Sequence, residues 1–248
     1  MKKNGSTIIS MFAILLAACL CSAEQLTASQ ILEKTDAVLN APKDQNLKMK
    51  LIITDREGNE KVREINMLQK GSDKRMGRFL TPADQKGIGF LILPGGMVYV
   101  YLPAYKKTRR IAARIKNNKF AGTDFTYEDM QAMRYGDKWQ AELIKEENKD
   151  YILKLTPLSN LESDYSKLVV WVQTDNYYPA KIEYYDQSSN LVKVMNRNHI
   201  EKLDKYWISK ESEMQDLKTG NRSTMILLEV KFDSGLSDDI FTERFLTR

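Results

Sequence analysis

The spacing of apolar residues changes near residue 46, and the change separates one helix from a long run of strands. Ile31, Leu32, Thr35, Val38 and Leu39 fall on one helical face. They follow Thr27-Ala28-Ser29-Gln30, which has the form of a capping box with Thr27 as N-cap and Gln30 at N3. A helix is therefore predicted over 27–40, ended by Pro42. From Asn46 the period is two: Leu47, Met49, Leu51 and Ile53 alternate with Lys48, Lys50 and Ile52. Asp55-Arg56-Glu57-Gly58-Asn59 reads as a turn into a second run at 61–70. Further runs at 74–81, 89–94 and 97–102 are punctuated by Gly71 and by Gly95-Gly96. Apolar or alternating stretches recur at 151–156, 167–173, 180–185, 191–203, 207–217 and 223–233. About ten to twelve strands joined mostly by short loops predict a mainly β fold with a few helices, an antiparallel meander that is strongly curved or closed. No βαβ alternation and no Gly-rich phosphate loop is visible, which argues against a nucleotide-binding sheet.

The middle of the chain breaks the pattern. Residues 106–119 hold Lys106, Lys107, Arg109, Arg110, Arg114, Lys116 and Lys119 and no acid. Such a stretch suits an anionic surface, and it equally suits a solvated loop whose long side chains cover apolar neighbours. A short helix is predicted from about residue 126, after Asp124-Phe125. No linker or repeat divides the remainder, so residues 24–248 are read as one domain.

The first 23 residues read differently. Lys2 and Lys3 precede an apolar run from Ile8 to Leu20, then Cys21-Ser22-Ala23, the order of a secretory signal peptide. Leu16-Ala17-Ala18-Cys19 also has the form of a lipoprotein processing site, at which Cys19 carries lipid. An exported, periplasmic protein is expected, with lipid anchoring through Cys19 as the alternative. Cleavage after Ala23 removes two of the 38 basic residues and none of the 33 acidic ones, so the net charge falls from +5 to +3.

Composition then narrows the chemistry. The chain has 248 residues, 42% hydrophobic and 29% charged, which is ordinary for a folded domain. It has one histidine, His199, and its two cysteines, Cys19 and Cys21, both lie in the leader. A nucleophile would lack its usual base, and a zinc site would lack most of its ligands. Asp124, Glu128 and Asp129 read as charges favouring a helix N-terminus more than as an acid–base pair. No enzymatic activity and no cofactor is expected, and an exported chain seldom meets nucleic acid. Nine of the 11 methionines lie beyond residue 23, seven of them in predicted strands. Methionine suits surfaces that adapt to apolar ligands, and it also serves as core filler. A curved sheet of this size encloses more space than its own side chains fill. The expected cavity wall is Met49, Leu51, Ile65 and Met67, then Phe90, Ile92, Met97 and Tyr99, with Trp171, Met214 and Met225.

Several strings carry a family resemblance. Pro82-Ala83-Asp84-Gln85-Lys86-Gly87-Ile88-Gly89-Phe90-Leu91 is followed by Val98-Tyr99-Val100-Tyr101-Leu102-Pro103-Ala104 and Arg109-Arg110-Ile111. The most specific is Gly122-Thr123-Asp124-Phe125-Thr126-Tyr127-Glu128-Asp129. Pro179 to Asp186 and Phe241 to Leu246 fit as well. In this order they resemble the exported bacterial outer-membrane lipoprotein-sorting proteins, relatives of the LolA/LolB periplasmic carriers. The resemblance implies an incomplete, half-open β-barrel with helices closing one mouth, carrying lipoprotein acyl chains or other lipids toward the outer membrane. It implies as partners an inner-membrane exporter and an outer-membrane acceptor. In that reading Ile31 and Leu32 on the first helix, and Phe125, Tyr127 and Met130 in the second, form lids, while Lys106, Lys107, Arg109, Arg110 and Arg114 face an anionic surface. The alternative is a non-enzymatic interaction or sensor module, for which the cavity should be packed shut, below roughly 300 Å³.

Overall fold

The computed structural model describes residues 25–112, 118–131 and 134–248. The leader and Cys19 lie outside them. Helix α1 runs Ala28–Leu39 and opens with the expected capping box. The Thr27 hydroxyl accepts from the Gln30 N–H, and the Gln30 side chain accepts from the Thr27 N–H. Ile31, Leu32, Thr35 and Asp36 form its buried face.

The remaining architecture is one 13-stranded antiparallel sheet. A first meander comprises β1 Asp44–Thr54, β2 Glu60–Lys70, β3 Lys74–Thr81, β4 Gly89–Leu93, β5 Met97–Leu102 and β6 Lys107–Ile111. A second comprises β7 Trp139–Glu147, β8 Asp150–Pro157, β9 Tyr165–Gln173, β10 Pro179–Asp186, β11 Leu191–Leu203, β12 Tyr206–Asp216 and β13 Arg222–Phe232. The two join where β1 pairs with β13, so the order is β6-β5-β4-β3-β2-β1-β13-β12-β11-β10-β9-β8-β7. The sheet curves without closing, and β6 and β7 are its free edges. The chain must therefore pass from one edge to the other between residues 112 and 138. The described part of that passage carries α2, Tyr127–Gln131. The half-open barrel expected from the sequence is the fold observed.

Two cores sit on opposite faces. The larger lines the concave face, where Leu47, Met49 and Leu51 of β1 meet Ile65 and Met67 of β2 and Leu168, Val170, Ile182 and Met195 of the second meander. The smaller covers the convex face of β2–β5. There Met76 and Leu91 are sealed by Phe241 and Leu246 from the C-terminal segment, which includes α3, Glu243–Leu246. Asp44 holds that segment down: its carboxylate accepts from the backbone N–H groups of Ser234, Gly235 and Leu236. Among the described residues no helix is long and apolar enough to cross a membrane.

Candidate ligand-binding cavity

The concave face encloses a cavity of about 1110 Å³. That is slightly above the usual ligand-pocket range of about 300–1,000 Å³ and well above the size expected of a packed-shut module. Met49, Met67, Ile92, Met195, Met225 and Leu227 supply apolar wall from both meanders. The wall follows from strand alternation, because inward positions along a strand are two residues apart. In β1 this selects Leu47 and Met49 and turns Lys48 and Lys50 outward.

The residues expected to line the cavity divide into three groups. Met49, Met67, Ile92 and Met225 form its wall, joined by Phe125 and Met130 of the 118–131 passage. Leu51, Ile65, Phe90 and Met214 face the same side but are buried in the core beneath it, as are Ile31 and Leu32 of α1. Tyr99, Met97 and Trp171 need correction. Tyr99 belongs to the convex core, and Met97 shares its side by alternation, while Val98 and Val100 turn inward. Trp171 stands between inward Val170 and Val172 and is instead capped by Lys181, whose Nζ lies 4.3 Å from the ring centroid. The physical reason is common to β5 and β9. Both are bulky on both faces, so hydrophobicity does not mark the inner one. Lys106, Lys107, Arg109 and Arg110 are exposed on or beside edge strand β6; Arg114 lies outside the described residues.

The passage over the concave face is fastened by the string that carries the resemblance. Asp124, 1% exposed, accepts a 2.8 Å hydrogen bond from the Ser223 hydroxyl and pairs with Lys119 at 2.7 Å. Lys119 also reaches Asp216 at 3.1 Å. Burial alone would raise the Asp216 carboxyl, but Lys119 and the Thr219 and Lys218 N–H groups outweigh it and hold the carboxyl below its usual range. Thr126 and Asp129 cap α2 reciprocally: each side chain accepts from the other's backbone N–H. Phe120 then packs edge-on to Phe90 at 4.8 Å and to Tyr127 at 5.6 Å. The three acids read as helix-terminal charges thus serve as clamps. Asp124 holds β13, Asp129 caps α2 and pairs with Lys193 at 3.1 Å, and Glu128 accepts from Ser163. Burial raises the Glu128 carboxyl, with the Ser163 hydrogen bond opposing it.

The interior also holds polar groups that hydrophobic patterning does not reveal. Arg75 of β3 and Arg197 of β11 both line the cavity. Arg75 donates to the Gln69 side chain at 3.0 Å and to the Met130 carbonyl at 2.9 Å. Arg197 donates to the Pro179 carbonyl at 2.9 Å and to the phenol of Tyr135. Tyr135 is set by Asp36 of α1, whose carboxylate accepts the Tyr135 and Gly136 N–H groups, both at 2.8 Å. Burial nonetheless raises the Asp36 carboxyl. Alternation holds the signal for these groups. Arg75 lies two and four residues from Gly77 and Phe79, and Arg197 lies two residues from Met195, so each shares an inward face. The habit of placing charge outward hides it. Among the described residues no cluster of three or more His, Cys, Asp or Glu is placed to hold a metal ion.

Proteins of known sequence and structure share this architecture. A family model described as "Uncharacterized protein" matches residues 71–248. No curated protein matches the chain. The crystal structure of a DUF1329 family protein from Desulfovibrio piger is 27% identical with a TM-score of 0.84, covering 88% of this chain and 97% of that one. An outer membrane lipoprotein-sorting protein domain from Vibrio parahaemolyticus is 26% identical with a TM-score of 0.81, covering 89% and 98%. A LolA superfamily protein from Nitrosomonas europaea, 22% identical, shares the fold with a TM-score of 0.76 over 89% and 100%. The chain therefore belongs to the family whose model spans residues 71–248, and its fold is the LolA-like fold of outer-membrane lipoprotein-sorting proteins.

Proposed function

We propose that the protein is a periplasmic carrier that holds lipoprotein acyl chains or other lipids in this cavity and moves them toward the outer membrane. The observation that carries the reading is the cavity of about 1110 Å³ on a LolA-like sheet, with five methionines in its wall. An acyl chain gains about 0.8 kcal/mol per methylene taken out of water, so a cavity of this size holds a long chain without any reaction. Helix α1 and the passage 118–131 act as lids, through Ile31, Leu32, Phe125, Tyr127 and Met130. Lys106, Lys107, Arg109 and Arg110 present an exposed cationic edge to the donor or acceptor membrane. Release then depends on a partner that binds the open state better than the closed one, an inner-membrane exporter at loading and an outer-membrane acceptor at delivery. The test is native mass spectrometry and lipid extraction of the purified protein, with uptake of a fluorescent fatty acid. Co-purified lipid or saturable uptake is expected. Repeated absence of both overturns the reading.

A further inference from the structure

The cavity lining carries charges of both signs, with Asp73, Asp137, Glu162 and Asp164 exposed, while two of its cations, Arg75 and Arg197, stand on inward strand faces. Arg75 and Arg197 come from opposite meanders, β3 and β11; Arg197 donates to the Tyr135 phenol, and the charge of Arg75 acts on the same phenol. Among the described residues neither guanidinium has a carboxylate partner; their acceptors are the Gln69 side chain, two backbone carbonyls and a phenol. Those hydrogen bonds use two of the five N–H donors of each group. Another buried cation shows the contrast. Lys193, two residues from Met195, is neutralised by Asp129 and accepted by the Tyr165 phenol at 3.1 Å. The other acid of α2, Glu128, is engaged by Ser163. Asp36 is held by the Tyr135 and Gly136 N–H groups. Two like charges beside each other in a desolvated wall oppose one another, and the Arg75 guanidinium is depressed to about 10, by burial first and with Arg197 contributing. Tyr135, Tyr178 and Tyr184 raise the Arg197 guanidinium against burial, so it is the desolvated Arg75 whose charge an entering anion stabilises.

We infer that Arg75 and Arg197, the latter held by Tyr135, form the seat for the anionic headgroup of an amphiphilic cargo. The headgroup is a carboxylate or phosphate, and its acyl chain lies along Met49, Met67, Ile92 and Met225. Guanidinium groups suit both anions, because their planar donor pairs match two oxygens at once. This inference rests on the carrier reading and names the class of cargo within it.

The test is displacement of a bound fluorescent neutral lipid by three probes: hexadecanoate, hexadecanoic acid methyl ester and inorganic phosphate. Wild-type protein is expected to bind hexadecanoate about tenfold to hundredfold more tightly than the ester, the factor that charge-assisted hydrogen bonds supply. Inorganic phosphate is expected not to displace the lipid. Arg197→Gln and Arg75→Gln should each weaken hexadecanoate far more than the ester, bringing the two chain-bearing probes to near equality. Equal binding of acid and ester by wild type overturns the anion seat and leaves the carrier reading intact, a result that does not depend on the variants folding. Displacement by phosphate as effective as by hexadecanoate overturns the amphiphile in favour of a free anion. Failure of wild type to bind any lipid probe overturns both readings.

Discussion

At the scale of single residues, two positions have sharply defined roles. Gly77 of β3 stands against the Phe90 ring: a Cβ added there falls 2.0 Å from Phe90 Cε1. Phe90 cannot yield freely, because it is 1% exposed and packs edge-on against Phe120. Gly77→Ala should lower stability by about 1–3 kcal/mol through overpacking, read as a shift in urea midpoint with the slope unchanged. Asp44 makes the second case. Burial raises its carboxyl, but the Ser234 hydroxyl and the N–H groups of Leu236, Ser234 and Gly235 outweigh burial and keep it below the usual carboxylate range. A depressed folded value means stabilisation that is present above about pH 3.9 and is lost as pH falls through the folded value. Asp44→Asn should therefore cost about 2 kcal/mol at neutral pH. It should also flatten the loss of stability below about pH 4 in acid titration followed by circular dichroism.

At the scale of elements, the passage over the concave face is held by the apolar packing of Phe120, Phe125 and Met130 and by a small set of polar contacts. Asp124 joins it to β13 through Ser223 and to β12 through Lys119 and Asp216. Removing that charge should open residues 118–131 without unfolding the sheet, because β12 and β13 keep their ladders. For Asp124→Asn, amide exchange within 118–131 should accelerate about tenfold to hundredfold, the equivalent of a lost charge-assisted hydrogen bond. Exchange in β1 and β13 should stay as it is. Uniform acceleration across the sheet would instead make Asp124 a determinant of global stability.

At the scale of the whole molecule, the sheet has two faces with two duties. The convex face is closed by the C-terminal segment, in which Leu246 is 0% exposed beneath β4. Leu246→Ala should cost about 2–5 kcal/mol while leaving lipid affinity unaltered, since Leu246 belongs to the convex core and not to the cavity wall. The concave face lines a cavity of about 1110 Å³, in which cargo would bury further apolar surface. A saturating acyl ligand at about 100 times its dissociation constant should add about 2.7 kcal/mol to stability. A thermal-shift series in ligand concentration checks this, and a melting temperature independent of ligand would contradict it.

Much of the fold is legible in the amino-acid sequence. The capping box at Thr27, the alternation through β1 and β2, and the turns at Gly58, Gly71 and Gly95 are local signals, and local signals determine where elements begin and end. Two strands escape that reading, β6 and β7, and they are the two sheet edges. Edge strands carry charge that discourages further pairing, so Lys-Thr-Arg-Arg-Ile and the Lys-Glu-Glu end of β7 read as loop. The wall of the cavity is legible where alternation pairs apolar with polar, as at Met49 and Met67. It is not legible at Tyr99 and Trp171, where both faces are bulky. Period two divides a strand into two faces but does not say which one faces inward. The strand-rich chain, its helical start and its shortage of catalytic groups can all be read from local sequence. The pairing of β1 with β13, the closing of the convex face by the C-terminal segment, and the placing of Arg75 and Arg197 on one cavity arise from the folded chain. These are contacts between residues more than a hundred positions apart, and no local pattern encodes a partner at that distance.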